Sequence, residues 1–311
     1  MSYEELLTET ALADEQVIVM TAENRALVRN LPGILGRRFI DTGITEQTMI
    51  GAAAGLALRG RIPIVHALAS FLTMRAFEFV RTDLGIANLP VKLSGFIPGF
   101  LSDGNGPTHQ AIEDIALMCG IPNMTVFAPA DEDDLIKMLP EIWQSANPAY
   151  TRINTRKTEY IHAPFEPGKA EVIAKGADVT ILTYGLLFEQ ALIAIEILKE
   201  EGLSAGLVNM RSLKPVDERA ILDSAESSLV VTLEDHFQKG GLYTIVAETL
   251  LKHRQTANVL PIALNEKWFR PALLPDVLLY EGFTGKQIAE QVLGYQTKHI
   301  QPDILKPQFA E

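Results

Sequence analysis

The chain alternates between short apolar runs and longer stretches in which apolar and polar residues mix at helical spacing. Short apolar runs are typical of strands that a parallel sheet buries on both faces, and the mixed stretches are typical of the helices that cover them. The strands predicted for the first half lie at residues 17–20, 38–41, 62–68, 91–95, 124–128 and 150–154. In the second half the predicted strands lie at 179–182, 204–209, 229–233 and 259–264, and the predicted helices at 187–201, 217–225 and 242–251.

This alternation predicts an α/β protein made of two doubly wound, mostly parallel-sheet domains. A chain of 311 residues has the length of two ordinary domains. Between residues 156 and 176 the sequence is polar and is interrupted by Pro164, Pro167 and Gly168, which favours a connecting segment. We therefore expect a first domain at 1–160, a linker at 161–175 and a second domain at 176–311, with an extended tail after about Lys298.

The composition favours a cytoplasmic protein that binds neither nucleic acid nor a membrane. The formal net charge of −12 would repel polyanions and anionic lipid surfaces, and no apolar run has the length that crosses a bilayer. The acidic start of the chain lacks the basic and then apolar pattern of a secretory signal. The single cysteine, Cys119, excludes an internal disulfide and fits a reducing compartment.

The stretch from Asp41 to Leu56 carries one carboxylate, Glu46, where a turn is expected to become a helix. In one interpretation Thr45 is the N-cap of this helix and Glu46 is a first-turn acid stabilised by the helix dipole. In the other, the small residues at 51–55 let a flat ligand or another backbone come close, and a partly desolvated Glu46 shares a proton with a ligand nitrogen. The residues themselves leave both interpretations open.

Three further groups of residues are candidates for a site. Glu23 and Arg25 follow the first predicted strand, at the strand end where open α/β sheets bind ligands. A polar, Gly-rich loop at 101–110 is typical of a functional loop, although a histidine in such a loop is often a solvated surface group. The third group is a helical stripe of large apolar side chains, which is more often core than a ligand pocket. Its members are Phe71, Met74, Phe77 and Phe79.

Several common site signatures are absent from the sequence. There is no GxxxxGK[ST] loop and no GxGxxG between a strand and a helix, so neither a nucleoside triphosphate nor a dinucleotide is implied. There is also no GxSxG elbow and no metal-ligand cluster. We therefore expect no metal site built by this chain alone.

Three motifs together carry a family resemblance. They occur in this order at residues 41–47 (DTGITEQ), 69–73 (ASFLT) and 106–110 (GPTHQ). On these motifs the chain resembles the pyrimidine-binding and C-terminal domains of transketolase, over nearly all its length. Each motif alone would be a weak signal, but their conjunction at these distances is specific.

The resemblance implies a site for thiamine diphosphate, the cofactor of transketolases. In that family the glutamate matching Glu46 hydrogen-bonds the ring nitrogen N1′ of the aminopyrimidine and so helps to activate the cofactor. Phe71, Met74 and Phe77 match the positions that pack around this ring, and Met74 departs from the aromatic residue of the best-known members. Glu23 stands where the family has an aspartate near the cofactor.

The resemblance also implies a site for a sugar substrate. His109 matches the catalytic histidine of the substrate channel, which hydrogen-bonds the oxygens of the donor sugar. Arg156 matches a phosphate-binding arginine, and Arg25 is expected to assist it. In the loop before His109, Asp103 and Asn105 are further expected substrate contacts, and Asn105 replaces a family aspartate that reads a sugar hydroxyl.

Two departures from the family pattern limit what the resemblance implies. The family binds the cofactor diphosphate and a divalent metal through a GDG sequence and a later asparagine pair on a preceding domain, and that motif is absent here. We therefore expect an N-terminal transketolase subunit as partner, which holds the diphosphate and Mg²⁺ or Ca²⁺ within an α2β2 heterotetramer in which this chain also self-dimerises. Ile97 stands where many members have a second histidine, so the particular sugar is left open.

The leading hypothesis is the C-terminal subunit of a split transketolase, which transfers a two-carbon ketol unit from a ketose, expected to be phosphorylated, to an aldose. One alternative is the β subunit of a 2-oxo acid dehydrogenase or acetoin-cleaving enzyme, which shares the two-domain layout and the glutamate. His109 within the GPTHQ motif favours transketolase over it. The other alternative is a non-catalytic subunit that regulates or stabilises a complete thiamine enzyme.

Overall fold

A computed structural model describes residues 1–299 and arranges their strands in two β-sheets. The strands, numbered in chain order, are β1 Val17–Thr21, β2 Phe39–Asp41, β3 Ile62–Leu68, β4 Lys92–Phe96, β5 Thr125–Phe127, β6 Ala149–Ile153, β7 Glu171–Ala174, β8 Val179–Thr183, β9 Ala205–Asn209, β10 Ser212–Lys214, β11 Leu229–Phe237 and β12 Val259–Leu264. Central strands such as β1 and β8 are buried at every position, which explains why their residues are mostly apolar. The tail expected after Lys298 lies outside the described residues, apart from His299.

Both sheets are mostly parallel. The first has the strand order β10-β5-β6-β4-β3-β1-β2, in which only β10 runs antiparallel to its neighbour. The second has the order β12-β11-β8-β9-β7, in which only β7 is antiparallel. The predicted α/β class with two mostly parallel sheets is confirmed. The sequence did not predict β7, inside the expected linker, or β10, which crosses from the second half to the edge of the first sheet.

Helices flank both sheets. Within residues 1–299 they are α1 Tyr3–Ala13, α2 Leu31–Leu35, α3 Glu46–Leu58, α4 Phe77–Phe79, α5 Asp114–Cys119, α6 Glu132–Gln144, α7 Phe188–Glu200, α8 Glu218–Ser224, α9 Leu242–Lys252, α10 Leu274–Glu281 and α11 Gly285–His299. Two stretches of π-helix, Phe71–Arg75 and Val80–Ile86, surround α4. None of the helices in the described part of the chain combines the length and apolar character that a membrane crossing requires.

The two halves of the chain share buried apolar surface. One hydrophobic cluster contains Met20 and Val65 from the first sheet together with Leu182 and Val208 from the second. Burial of such side chains is the main favourable term in folding. The halves are therefore joined by a common core as well as by the covalent linker.

A buried ionic network centred on Arg152 of β6 also connects the halves. Its Nε donates to Asp114 Oδ2 at 2.9 Å, and its Nη1 donates to Asp235 Oδ1 at 2.5 Å. Burial acts to raise the pKa of Asp114, but Arg152 outweighs this effect and the pKa is lowered. Removing one member of such a network would leave a buried charge without a partner, so the network fixes the mutual position of α5, β6 and β11.

Candidate functional site

Glu46 is the first residue of α3 and is buried, with only 1% of its surface exposed. Thr45 occupies the N-cap position, but its hydroxyl donates to the Thr42 carbonyl oxygen at 2.9 Å and caps no helix N–H group. The expected side-chain cap is therefore wrong. The expected first-turn position of Glu46, at the positive end of the helix dipole, is confirmed.

Arg75 is the partner of the buried Glu46 carboxylate. Its Nη1 atom lies 3.0 Å from Glu46 Oε2 and 3.1 Å from Oε1. Its guanidinium carbon also lies 3.8 Å from the centroid of the Phe71 ring. A buried carboxylate needs such a partner, because an uncompensated charge inside a protein is very unfavourable. Glu46, Phe71 and Arg75 thus form one compact group, and the sequence patterns did not single out Arg75.

The contact between Phe71 and Arg75 spans a π-helical turn. The Ala76 N–H closes this turn by donating to the Phe71 carbonyl oxygen at 3.1 Å. Single π turns are rare in proteins overall, and those that occur are often found at functional sites. A basic residue four positions after Phe71, inside an otherwise apolar stripe, is the only sequence signal that could have identified Arg75.

His109 lies at the edge of the Phe71 ring. The two ring centroids are 5.1 Å apart and the ring planes meet at 62°. The Thr108 hydroxyl lies 2.9 Å from His109 Nδ1. Gln110 anchors the loop to the second half of the chain, because its amide nitrogen donates to the Phe269 carbonyl oxygen at 2.9 Å. The structure therefore brings residues of all three sequence motifs into one contact group.

Met74 and Phe77, the other predicted ring contacts, lie on the same segment as Phe71. Both are half-buried. Phe77 packs against the hydrophobic cluster that contains Met49 and Ile50 of α3. Phe77 therefore has a packing role, and cofactor contacts of Met74 and Phe77 stay predictions.

Glu23 and Arg25 gather around Asp41, at the carboxyl ends of β1 and β2. Asp41 Oδ1 accepts the N–H groups of Glu23 at 3.1 Å and Gly43 at 2.9 Å, and Arg25 Nε donates to Oδ2 at 2.7 Å. Burial acts to raise the pKa of Asp41, but these donors outweigh it and lower the pKa. Glu23 has φ +74°, a left-handed conformation that is uncommon outside glycine. The expected ligand roles of Glu23 and Arg25 stay predictions.

Asp103 has a structural partner in the second half of the chain. Its Oδ2 accepts the N–H of Leu274, the first residue of α10, at 2.9 Å, and its carbonyl oxygen accepts the Ala272 N–H at 3.0 Å. A carboxylate in this position stabilises a helix start. Asn105, two residues later, is half-buried in the turn before His109.

Arg156 follows β6 and is exposed. It lines a pocket together with Leu186, Glu189 and Leu274, and neither Glu46 nor His109 lines that pocket. The structure therefore does not bring Arg156 into the contact group around Phe71, and its expected phosphate-binding role stays a prediction.

Ile97, at the position of the missing second histidine, has a strained backbone. It follows directly after β4 and has φ +46°. A β-branched residue in this region is a genuine outlier, and such outliers cluster at functional sites at a cost of about 1–3 kcal/mol. Ile97, like Glu23, is thus a residue with a left-handed backbone at the carboxyl end of the first sheet.

Two family models match the chain. Residues 1–160 match "Transketolase, pyrimidine binding domain" and residues 168–288 match "Transketolase, C-terminal domain". A protein of Methanocaldococcus jannaschii that is assigned as a transketolase C-terminal section is 35% identical over 302 residues, which are 94% of this chain and 94% of that protein. The 6-deoxy-6-sulfo-D-fructose transketolase subunit SqwH of Clostridium sp. strain MSTE9 is 37% identical over 255 residues, covering 80% of this chain and 79% of that protein.

Similar proteins also include longer enzymes and solved structures. The 1-deoxy-D-xylulose-5-phosphate synthase of Synechococcus sp. strain JA-2-3B'a(2-13) is 36% identical over 92% of this chain, which spans only 45% of that protein. A solved structure described as "Split gene transketolase, inactive beta4 tetramer" is 32% identical, with a TM-score of 0.85 over 95% of this chain and 97% of that chain. A transketolase structure from Pichia stipitis, 18% identical with a TM-score of 0.76, supports the fold alone. The chain therefore belongs to the transketolase family and corresponds to its pyrimidine-binding and C-terminal domains.

Proposed function

We propose that this chain is the C-terminal subunit of a split, thiamine diphosphate-dependent transketolase. Together with a partner subunit it transfers a two-carbon ketol unit from a ketose phosphate to an aldose phosphate. The observation that best supports this proposal is the contact group in which Arg75 joins Glu46 to Phe71 and His109 meets the edge of the same ring.

The site fits the ring end of thiamine diphosphate. Glu46 is a buried acceptor for the N–H of a flat group, and Phe71 offers an aromatic face beside it. In this structure the guanidinium of Arg75 makes both contacts: it donates to Glu46 and lies over the Phe71 ring. Met74, Phe77 and Glu23 are proposed as further cofactor contacts. When bound, the cofactor supplies the carbanion chemistry that breaks and forms the carbon–carbon bond.

Glu46 and His109 have different roles in this proposal. Glu46 holds and shares a proton at the ring nitrogen of the cofactor, and its burial strengthens that hydrogen bond by excluding water. The Thr108 hydroxyl lies 2.9 Å from His109 Nδ1, and in the tautomer in which this hydroxyl donates to Nδ1 the proton of a neutral imidazole is on Nε2. From that atom His109 can donate to a sugar oxygen and exchange a proton with it.

The proposal requires a partner, because the sequence lacks the GDG motif. An N-terminal transketolase subunit would hold the diphosphate and Mg²⁺ or Ca²⁺, in a cytoplasmic α2β2 assembly with self-contact between two copies of this chain. The relatives named as a C-terminal section and as a subunit support this division. We retain 1–160 and 176–311 as the proposed domains and 161–175 as the proposed linker.

A ketose with an anionic end group is the proposed donor. Arg25 and Arg156 are exposed cations that could bind a phosphate, and Asp103 and Asn105 are proposed contacts of the sugar. The SqwH relative is named for a sulfonated fructose. A ketose that carries a sulfonate in place of the phosphate should therefore also be assayed as a donor. Ile97 stands where many members have a second histidine, so the proposal leaves the particular sugar open.

The test is reconstitution with a GDG-bearing protein encoded next to this chain, in the presence of thiamine diphosphate and Mg²⁺. We expect ketol transfer from a phosphorylated ketose to an aldose, and no transfer by either chain alone. Glu46→Gln should lower kcat by about a hundredfold or more, because it removes an acid–base group. Glu78→Gln is the matched control, since Glu78 is exposed on the same segment and should leave kcat unchanged.

Each alternative function gives a different result in this assay. Turnover of 2-oxo acids in place of ketoses would identify a 2-oxo acid dehydrogenase or acetoin-cleaving β subunit. A Glu46→Gln complex that keeps kcat within about threefold of the wild type would make this chain a non-catalytic subunit. Micromolar binding of thiamine diphosphate by this chain alone, measured by calorimetry, would contradict a site divided between two chains.

A further inference from the structure

We propose that Arg75 is a built-in stand-in for the cofactor ring: its guanidinium occupies the place between Phe71 and Glu46, and thiamine diphosphate must displace it to bind. This inference rests on the proposed function, because it takes thiamine diphosphate as the ligand of this site. It gives the cofactor-free chain an autoinhibitory contact at the residues that the cofactor needs.

The contacts of Arg75 are those of a flat ring with one N–H donor. An arginine and a carboxylate often pair through two parallel bonds from two nitrogens. Here Nη1 alone reaches both Glu46 oxygens, at 3.0 and 3.1 Å, while the guanidinium carbon lies 3.8 Å from the Phe71 ring centroid. A planar ring that stacks beside Phe71 and donates one N–H to Glu46 would need the same two groups.

Burial shows which of the two partners can move. The side chain of Glu46 is 2% exposed, whereas that of Arg75 is 38% exposed. Arg75 can therefore leave towards solvent by a change of rotamer, because its charge is readily hydrated there. Glu46 is held inside by α3 and cannot follow it.

The stand-in also explains why the free chain tolerates a buried acid at this position. Without Arg75, the Glu46 carboxylate would be a buried charge with no partner, which is strongly unfavourable. The ion pair stabilises the free chain, and the cofactor then binds only the fraction of molecules in which Arg75 has moved away. The measured affinity is lowered by that fraction.

The opposite role would be a permanent partner that stays on Glu46 beside the bound cofactor. Removing a permanent partner would weaken cofactor binding, because the carboxylate would lose its support. Removing a stand-in would strengthen cofactor binding, because nothing would have to be displaced. The sign of the change in Kd therefore separates the two roles.

The variants are Arg75→Met, which removes the donors and the charge, and Arg75→Lys, which keeps the charge but loses the flat group. Arg81→Met is the matched control, because Arg81 lies in the neighbouring π-helical stretch and its ion pair, with Glu78 at 3.3 Å, is exposed. Two quantities are measured: the melting temperature of this chain alone, and the Kd of thiamine diphosphate for the reconstituted complex by calorimetry.

Arg75→Met should lower the melting temperature of the chain alone and lower the Kd of the complex by about tenfold. Arg75→Lys should bind the cofactor more tightly than the wild type by a smaller factor, and Arg81→Met should change neither quantity. If Arg75→Met does not fold, Arg75→Lys decides by the sign of its change in Kd. In the chain alone, Glu46→Gln and Arg75→Met should be non-additive, as expected for two residues in direct contact.

An unchanged or raised Kd in the Arg75 variants would overturn the stand-in, while a wild-type complex that binds the cofactor would leave the proposed function intact. A wild-type complex that binds no thiamine diphosphate at all would overturn both. The two failures are thus distinguishable in one set of titrations.

Discussion

His162 Nδ1 lies 2.6 Å from Glu171 Oε2, and the opposite ring nitrogen of His162 lies 3.2 Å from Asp131 Oδ2. The imidazole therefore bridges two carboxylates: that of Asp131, which directly precedes α6, and that of Glu171 on β7 of the second sheet. Both ring nitrogens donate only when the ring is protonated, so this bridge is an imidazolium between two acids. It is a further polar connection between the halves, besides the Arg152 network and the bonds of Asp103 and Gln110.

The bridge predicts a stability that falls at alkaline pH. Burial acts to lower the pKa of His162, but its hydrogen bonds to Asp131 and Glu171 outweigh burial and raise the pKa to about 9. A raised folded pKa contributes stability that is fully present below the unfolded value of about 6.5 and is lost as pH rises through about 9. The contribution is at most on the order of 3 kcal/mol.

Thermal unfolding of the wild type and His162→Gln between pH 6 and 10 checks this prediction. The difference in melting temperature should be largest near pH 6.5 and should shrink towards pH 9.5. Asp134 and Arg211 also face the site and pair with each other at 2.7 Å, and the substitution changes neither residue, so comparison of the two proteins isolates His162. His253→Gln, which alters an exposed histidine beside Glu218, is the control. A difference that stays constant with pH would contradict the imidazolium bridge.

Gly99 predicts a severe effect from the addition of one methyl group. It has φ +55°, and a Cβ atom there would lie 1.8 Å from Asp235 Oδ2. The clash would push Asp235 away from Arg152 and break a buried ion pair, which costs about 3–5 kcal/mol. Gly99→Ala should therefore lower the free energy of unfolding by about 3 kcal/mol or more.

Gly104→Ala is the control for Gly99→Ala. Gly104 lies in the same loop region, and a Cβ atom there would meet nothing within 4 Å. Urea unfolding of both variants measures the contrast, and Gly104→Ala should stay within about 0.5 kcal/mol of the wild type. Equal effects of the two substitutions would show that the close approach of Gly99 to Asp235 is unimportant for stability.

Asp103 should have a structural role that Asn105 lacks, in addition to the sugar contact that is proposed for both residues. Asp103→Ala removes the acceptor of the Leu274 N–H at the start of α10 and should lower the free energy of unfolding by about 1–2 kcal/mol. Asn105→Ala should change the free energy of unfolding by less than about 0.5 kcal/mol and raise the KM for the sugar in the reconstituted complex. If Asp103→Ala changed only the KM, its expected substrate role would hold and its role at α10 would be minor.

The sequence predicted the parallel sheets well, because buried parallel strands leave unbroken apolar runs. It did not predict β7 or β10, which are short and pair antiparallel with strands far away in sequence. It also missed α10 and α11, because no strand follows them to mark an alternating unit. The extent of the π-helical stretches could not be predicted either, since helical periodicity does not distinguish a π turn from an α turn.

The site could be predicted only in part. Glu46, Phe71 and His109 carry motifs, so their convergence follows from the family resemblance. The ion pair of Arg75 has no motif and depends on the π turn that starts at Phe71. The bond from Asp103 to α10 crosses 171 positions of sequence, so the loop sequence alone could not predict it; the substrate role that the resemblance implies for Asp103 stays a prediction.

The position of β10 limits how this chain can be divided. Ser212–Lys214 belongs to the second half, yet it covers the outer edge of β5 in the first sheet. A fragment ending at residue 160 would expose the unpaired backbone groups of β5 to any other extended chain, which is a common route to aggregation. A division of this chain between its two halves would therefore separate β5 from the strand that covers its edge.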